Sequence, residues 1–220
     1  MRNTELLIMI VVTLIMSILS MLMLRREWSK EDKKMFPFPK KLAVYALVMI
    51  VMQLTTLLLA KRYYPGLTIC ICIKRMGLLA LIWQAAAHDY REHKIPNKII
   101  LTGIIFRVLM LIPEFILERD VLLSTLFTEG IALIGVVIFI GVCLLLMKNS
   151  IGMGDFKLLM LMAITQGVSG VVASVFCSLI FTFIVAVVLL ITGKKSRKDT
   201  LPFAPFVTAG TILAFVMTGA

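Results

Sequence analysis

A long hydrophobic run without a single charged residue extends from Leu6 to Leu24. A helix needs about 20 apolar residues to cross the hydrocarbon core of a bilayer, and this run is close to that length. It is longer than the apolar part of a secretory signal and no small-residue cleavage site follows it, so we expect it to be retained. The run therefore predicts a first helix that spans a membrane.

Similar runs recur along the whole chain, which is 60% hydrophobic and has a mean hydropathy of +1.03. A soluble domain of 220 residues could not bury that much apolar surface, so soluble fold classes are excluded. In a bilayer each span must satisfy its own backbone hydrogen bonds, which favours helices. The predicted helices are 6–24, 42–60, 67–87, 99–117, 130–147, 156–167, 170–192 and 203–218. We therefore expect an all-α fold, a polytopic transmembrane helical bundle of six to eight spans that forms one integral membrane domain over residues 1–220.

Basic residues outnumber acidic ones and give the chain a formal net charge of +11. Nucleic acid is not the expected partner, because no soluble module is left to carry a basic face. The bases concentrate instead in alternate loops: residues 25–41, 88–98, 148–157 and 193–199 hold seven, three, two and four of the 23 Lys and Arg. Such loops face the cytoplasm under the positive-inside rule, where anionic lipid headgroups are their partners. The pattern predicts a protein of the cytoplasmic membrane with both termini outside and a short basic cytoplasmic loop at 25–41.

Two aspartates lie at predicted helix boundaries on the same side of the membrane, and ionisable groups at such depth are candidates for function. Asp89 follows an apolar run that ends at Ala87, and Asp155 lies in Gly152-Met153-Gly154-Asp155-Phe156-Lys157. The glycines permit unusual backbone angles and let another chain approach closely. A single Asp at a helix boundary is more often a cap than a catalyst. From the residues alone, three interpretations stay open: helix caps, an acid-pair enzyme, and a proton- or cation-coupled transporter that uses the same aspartates.

Three ordered segments around these acids resemble the signature motifs of type IV prepilin peptidases, the membrane aspartic proteases with a GxGD motif. They are Asp89-Tyr90-Arg91 with Ile95-Pro96-Asn97, then Gly152 to Lys157, then Leu201-Pro202-Phe203-Ala204-Pro205-Phe206 followed by Gly210. The resemblance runs from about residue 78 to residue 218. It implies an endopeptidase that removes the short basic leader of prepilin-like precursors (pilins, pseudopilins or Flp-type proteins) at the cytoplasmic face of the membrane.

The resemblance also implies which residues form the active site. Asp89 and Asp155 correspond to the family's catalytic pair, and two carboxylates that share a site hold one proton between them and activate a water molecule. The residues implied to shape the site or bind the substrate are Gly152, Gly154, Lys157, Pro96, Asn97, Pro202 and Pro205. No metal and no cofactor is implied.

The chain departs from the bifunctional members of that family, which carry paired Cys-x-x-Cys motifs after the first span. The corresponding loop, residues 25–41, contains no cysteine. The resemblance is therefore to the short, cleavage-only branch, and neither N-methyltransferase activity nor S-adenosylmethionine or zinc is expected. The four cysteines all fall inside hydrophobic runs and are predicted to be small core residues. They are Cys70, Cys72, Cys143 and Cys177.

Other ionisable residues allow more than one interpretation. Arg107 lies near the middle of its span with Glu114 seven positions on, on roughly the same face, so a bundle-facing pair and outward snorkelling are both open. Lys157 either snorkels to the headgroups or acts through its charge on the neighbouring acid. His88 and His93 are expected at the polar interface rather than on a metal, because no third ligand lies nearby.

Overall fold

The computed structural model describes residues 3–31, 39–146, 152–193 and 201–219. Seven α-helices account for almost all of these residues, and no strand occurs among them. In chain order the helices are α1 (Asn3–Glu31), α2 (Pro39–Tyr63), α3 (Ile69–Glu92), α4 (Asn97–Leu117), α5 (Arg119–Leu146), α6 (Met153–Ile191) and α7 (Ala204–Thr218).

Six of these helices, α1 to α6, contain stretches long and apolar enough to cross a membrane, whereas α7 has 15 residues and is shorter. Long exposed apolar faces on the outside of the bundle are what a lipid environment requires. The predicted all-α, polytopic bundle is therefore confirmed, and the chain is a multi-pass membrane protein.

The central helix of the bundle is α3. Of its most apolar stretch 72% is buried, against 11–28% for the other five long helices. It packs against α1, α2, α4, α6 and α7. The last turn of α3 is therefore held in place by several neighbours, and that turn carries Asp89.

Helix α6 is interrupted at Gly167, where φ is +69° and ψ is −170°. Only glycine adopts this backbone conformation readily, and a side chain at that position would lie 3.2 Å from the Thr128 hydroxyl. If α6 were straight, Asp155 and Ser178 would lie about 35 Å apart. Ser178 instead contacts Gly210 in the middle of α7, so the second half of α6 folds back against α7. The two predicted segments, 156–167 and 170–192, correspond to the two halves of this broken helix.

Other predicted boundaries need correction. Helix α3 continues to Glu92 instead of ending at residue 87, and α6 begins at Met153 rather than 156, so both aspartates lie within helical turns. The predicted loop 25–41 is too long, because α1 extends to Glu31 and α2 begins at Pro39. The intervening residues 32–38 lie outside the described part of the chain.

The largest boundary error concerns α5, which begins at Arg119 and not at residue 130. Glu129 interrupts the apolar run and suggested a helix boundary there. In the structure Glu129 lies inside the bundle, with its carboxylate 2.7 Å from Lys74 Nζ and 2.5 Å from Arg107 Nη2. These two cations neutralise its charge, so the helix continues through it.

Four charged side chains form a buried cluster between α3, α4 and α5, each no more than 5% exposed. Its members are Lys74, Arg107, Glu114 and Glu129. Glu114 lies 2.9 Å from both Lys74 Nζ and Arg107 Nη1. Arg107 Nε also donates to the carbonyl of Ile164, 2.9 Å away, just before the break in α6. Of the two interpretations of Arg107, the structure therefore shows the bundle-facing pair with Glu114.

Candidate active site

The structure brings Asp89 and Asp155 to the same end of the bundle. Asp89 lies in the last turn of α3, and Asp155 lies in the first turn of α6. Their carboxyl groups are close enough to interact electrostatically. Asp89 is buried whereas Asp155 is half-buried, so Asp155 is the more accessible member of the pair.

Asp89 is tied to the start of α7. Its Oδ2 accepts a hydrogen bond of 2.8 Å from the backbone N–H of Ala204, the first residue of that helix. Pro205 has no N–H, and the amides of Phe206 and Val207 donate to the carbonyl of Phe203 at 3.0 and 3.1 Å. Among the first four residues of α7, Ala204 thus supplies the amide left over for Asp89.

This contact changes the helix-cap interpretation of Asp89. The residue does cap a helix, but the helix is α7, which begins 115 positions further along the chain. A carboxylate is stabilised at a helix N-terminus, and the Pro205 ring is well tolerated in a first turn. Pro202 precedes the helix and is half-buried. The third predicted motif therefore places an amide donor against the first predicted acid.

The loop that follows Asp89 packs directly on the turn that carries Asp155. Helix α3 ends at Glu92 and is capped by His93, in a left-handed conformation with φ +50°, and α4 begins after its N-cap, Pro96. A side chain on Gly154 would lie only 3.1 Å from Ile95 Cβ and 3.3 Å from Ile95 N. We expected the glycines to let a second chain approach closely; at Gly154 the approaching segment is the protein's own loop.

Lys157 and Asn97 connect the same two segments by side chains. Lys157 Nζ donates to Asn97 Oδ1 at 2.8 Å, on the surface of the protein. The pattern of the sequence did not indicate this partner for Lys157. The contact joins the first turn of α4 to the first turn of α6, and so joins the segments after Asp89 and around Asp155.

Gly152 is the N-cap of α6 and lies beside the Asp155 carboxylate. A side chain at Gly152 would come within 3.1 Å of Asp155 Oδ2, which is tighter than an ordinary van der Waals contact. Because Gly152 has no side chain, the Asp155 carboxylate can occupy its present position.

The described histidines and cysteines form no metal-binding group with the two acids. Within the described ranges no group of three or more His, Cys, Asp or Glu is arranged to hold a metal ion. His88 is buried next to Asp89 in α3, and His93 is exposed. The cysteines are free thiols, two of them buried and two half-buried. The residues placed at the site are therefore the two acids, the glycines, and the loop and helix starts that hold them.

Comparison with known proteins gives two matches. A model of the type IV leader peptidase family matches residues 76–191, a stretch that contains Asp89 and Asp155 and ends before Pro202. The prepilin leader peptidase/N-methyltransferase of Bacillus subtilis (strain 168) is 27% identical over 141 residues, which are 63% of this chain and 53% of that protein. The chain thus spans about half the length of this curated relative. No solved structure matches the chain.

Proposed function

Because the chain belongs to the type IV leader peptidase family, we propose that it is a membrane aspartic endopeptidase in which Asp89 and Asp155 act as a pair. Its substrate is a prepilin-like membrane protein, from which it removes a short basic leader. One observation carries the proposal: two acids from different helices, 66 positions apart (155 − 89), lie at one end of the bundle, where the loop after Asp89 packs on the turn that carries Asp155. Acids at one end, rather than at mid-depth, also favour a peptidase over a coupled transporter.

In the proposed reaction the two carboxyl groups share one proton. The ionised member takes a proton from water while the water oxygen bonds to the peptide carbonyl carbon. The protonated member donates to the developing oxyanion. The C–N bond then breaks as a proton passes to the leaving amine, so that one water is consumed and the pair returns to its starting state.

The Ala204 amide supports this reaction by fixing Asp89. A backbone N–H can only donate, so it holds Asp89 Oδ2 in place as the acceptor. Asp155 is more accessible than Asp89, since it is half-buried and Asp89 is buried. We propose that Asp89 is the anchored member and that Asp155 is the member with more freedom to reach water and substrate.

The proposed orientation places the acids at the cytoplasmic face of the inner membrane. Predicted loops on that side hold sixteen of the 23 Lys and Arg. A precursor with a cytoplasmic leader and a membrane-embedded apolar helix would bring its boundary to the level of Asp89, one turn from the end of α3. The cleaved bond is proposed to follow a glycine at that boundary.

We also propose that the protein cleaves without methylating the new amine. The segment 25–41 lacks the paired Cys-x-x-Cys motifs of the bifunctional enzymes. The proposed chemistry uses the two carboxyl groups and water, without S-adenosylmethionine or zinc.

Reconstitution tests the proposal. The purified protein is placed in liposomes with a precursor that carries a basic leader, a glycine and an apolar helix. We expect the precursor to be processed to one shorter product, and a precursor with valine in place of that glycine to stay intact. Liposomes that leave the precursor whole, yet take up solute when a proton gradient is imposed, would favour the transporter interpretation instead.

The contact between Gly152 and Asp155 gives a prediction. The Gly152→Ala variant should cleave the precursor about tenfold more slowly, because its methyl group displaces the Asp155 carboxylate by a few tenths of an ångström and catalysis is sensitive to such displacement. Initial rates at equal amounts of folded protein measure the effect. Gly130→Ala is the matched control, since a methyl group there meets nothing within 4 Å. Equal rates for the two variants would show that Asp155 does not need its present position.

The Lys157–Asn97 hydrogen bond gives another prediction. Lys157→Met and Asn97→Ala should each lower the cleavage rate about fivefold, because either change frees the loop after Asp89 from the turn that carries Asp155. The double variant should be no slower than the slower single one, because both changes remove the same bond. The test is to measure cleavage rates for the unsubstituted protein, the two single variants and the double variant. If the rate losses of the two single variants multiplied in the double variant, the two residues would act separately.

A further inference from the structure

An apolar groove runs between α2, α3 and α7 beside the candidate site. Its volume is about 600 Å³. The residues that mark its extent are Tyr45, Met52, Trp83, Tyr90, Pro205 and Ile212. We call it the α2–α3–α7 groove. Neither the acids nor the motif contacts described above account for its presence.

One end of the groove lies next to Asp89. Tyr90, which lines it, directly follows Asp89, and Pro205 directly follows Ala204, whose N–H binds the Asp89 carboxylate. The lining on α3 extends from Tyr90 back to Trp83, and on α7 from Pro205 to Ile212. Seven residues of helix on each side correspond to about 10 Å, or two helical turns. The groove therefore begins at the helical turn that carries Asp89 and runs along the bundle into its apolar part.

Small side chains line the groove alongside the large ones. They are Ala86 and Ala87 of α3, and Pro205, Thr208 and Ala209 of α7. Small residues allow helix backbones to approach closely within a membrane. The Tyr45 hydroxyl donates to the Trp83 carbonyl at 2.8 Å and closes the side formed by α2. The groove thus has the dimensions and surface that suit one face of a further helix.

The groove also opens sideways. Ala209 and Met52 are exposed on the lipid-facing surface of the bundle. A helix already in the membrane reaches such a groove by lateral movement and keeps its backbone hydrogen bonds throughout.

We infer that the α2–α3–α7 groove receives the first two turns of the precursor's apolar helix, on the product side of the bond to be cut. The inference rests on the proposed peptidase function and adds where the substrate binds. Continuity with the site selects this occupant over a lipid chain, because the first turn of α7 lines the groove through Pro205 and binds Asp89 through the Ala204 N–H. Two or three extended residues, at about 3.3 Å each, bridge that turn and bring the bond to the acids.

Photo-crosslinking tests the inference directly. A photoreactive amino acid is placed at Ala209 or Met52 in the groove, or at Val137 on α5 as a control with comparable lipid exposure. The Asp155→Asn variant serves as the background, so that a bound precursor stays whole. We expect the precursor helix to crosslink at Ala209 and Met52 and not at Val137. Crosslinks to lipid alone at the two groove positions would overturn the inference.

A second measurement is the cleavage kinetics of a variant in which a large side chain fills the groove. Ala209→Trp should raise KM for the precursor about tenfold with a smaller effect on kcat, because it removes binding shared by ground state and transition state. Gly135→Trp on α5, where an added Cβ atom meets nothing within 4 Å, should leave KM unchanged. An unchanged KM for Ala209→Trp would contradict the inference while leaving the peptidase intact. Failure of the unsubstituted protein to cleave would instead overturn the proposed function, and the crosslinks would still report on the groove.

Discussion

Asp89→Asn and Asp155→Asn should each lower the rate of precursor cleavage by about a thousandfold, within the range supplied by general acid–base catalysis. An asparagine cannot exchange a proton with water or with the leaving amine at neutral pH. At position 89 the carboxamide oxygen can still accept the hydrogen bond from Ala204 N–H, so α7 keeps its place. Cleavage is followed by the loss of full-length precursor, at equal amounts of folded protein.

The matched control is Asp120→Asn, which changes an exposed acid in the first turn of α5. Its cleavage rate should stay within about twofold of the unsubstituted protein, as for most surface changes. If either Asp89→Asn or Asp155→Asn cleaved as fast as Asp120→Asn, the acid pair would not be the catalyst.

Arg107→Met should lower the free energy of unfolding by about 3–5 kcal/mol, because breaking a buried ion pair leaves charges without a partner. Arg107 contacts both Glu114 and Glu129, so its loss leaves Lys74 alone to neutralise two carboxylates. It also removes the bond to the Ile164 carbonyl beside the break in α6. Denaturation in detergent micelles, followed by helical content, measures the change.

Two further variants serve as comparisons for the stability of Arg107→Met. Arg119→Met removes an exposed arginine that lies 5.3 Å from the Phe115 ring, and it should cost no more than about 1 kcal/mol. Arg107→Lys keeps the charge but loses the planar fork of donors, so an intermediate loss is expected. A stability of Arg107→Met equal to that of Arg119→Met would mean that the cluster does not hold α3, α4 and α5 together.

Sequence patterns predict the helices well because lipid imposes a simple length rule on each span. The break at Gly167 follows the same logic, since a straight α6 of 39 residues would be about 58 Å long and could not fit a hydrocarbon core of about 30 Å. The start of α5 could not be predicted locally. Glu129 is tolerated in the bundle only through Lys74, which lies 55 positions away, and through Arg107.

For the candidate site, the motifs located the acids but not the contacts that hold them. The bond from Ala204 to Asp89 uses a backbone amide, which has no signature in the residue type at position 204. The signal that was present is Pro205, whose missing N–H leaves the Ala204 amide as the available donor. The packing of Ile95 on Gly154 depends on how α3 and α6 meet, and no pattern within either helix specifies that.

Intact-mass spectrometry of the cleavage products tests the proposed acid pair most directly. The purified protein is incubated with a precursor of known mass, and the same reaction is run with Asp89→Asn and with Asp155→Asn. We expect two products from the unsubstituted protein, with masses that sum to the precursor plus one water and with the cut after the boundary glycine, and none from either variant. The assignment of Asp89 and Asp155 as a catalytic pair would be contradicted if the unsubstituted protein left the precursor uncut, or if either asparagine variant gave the same two products.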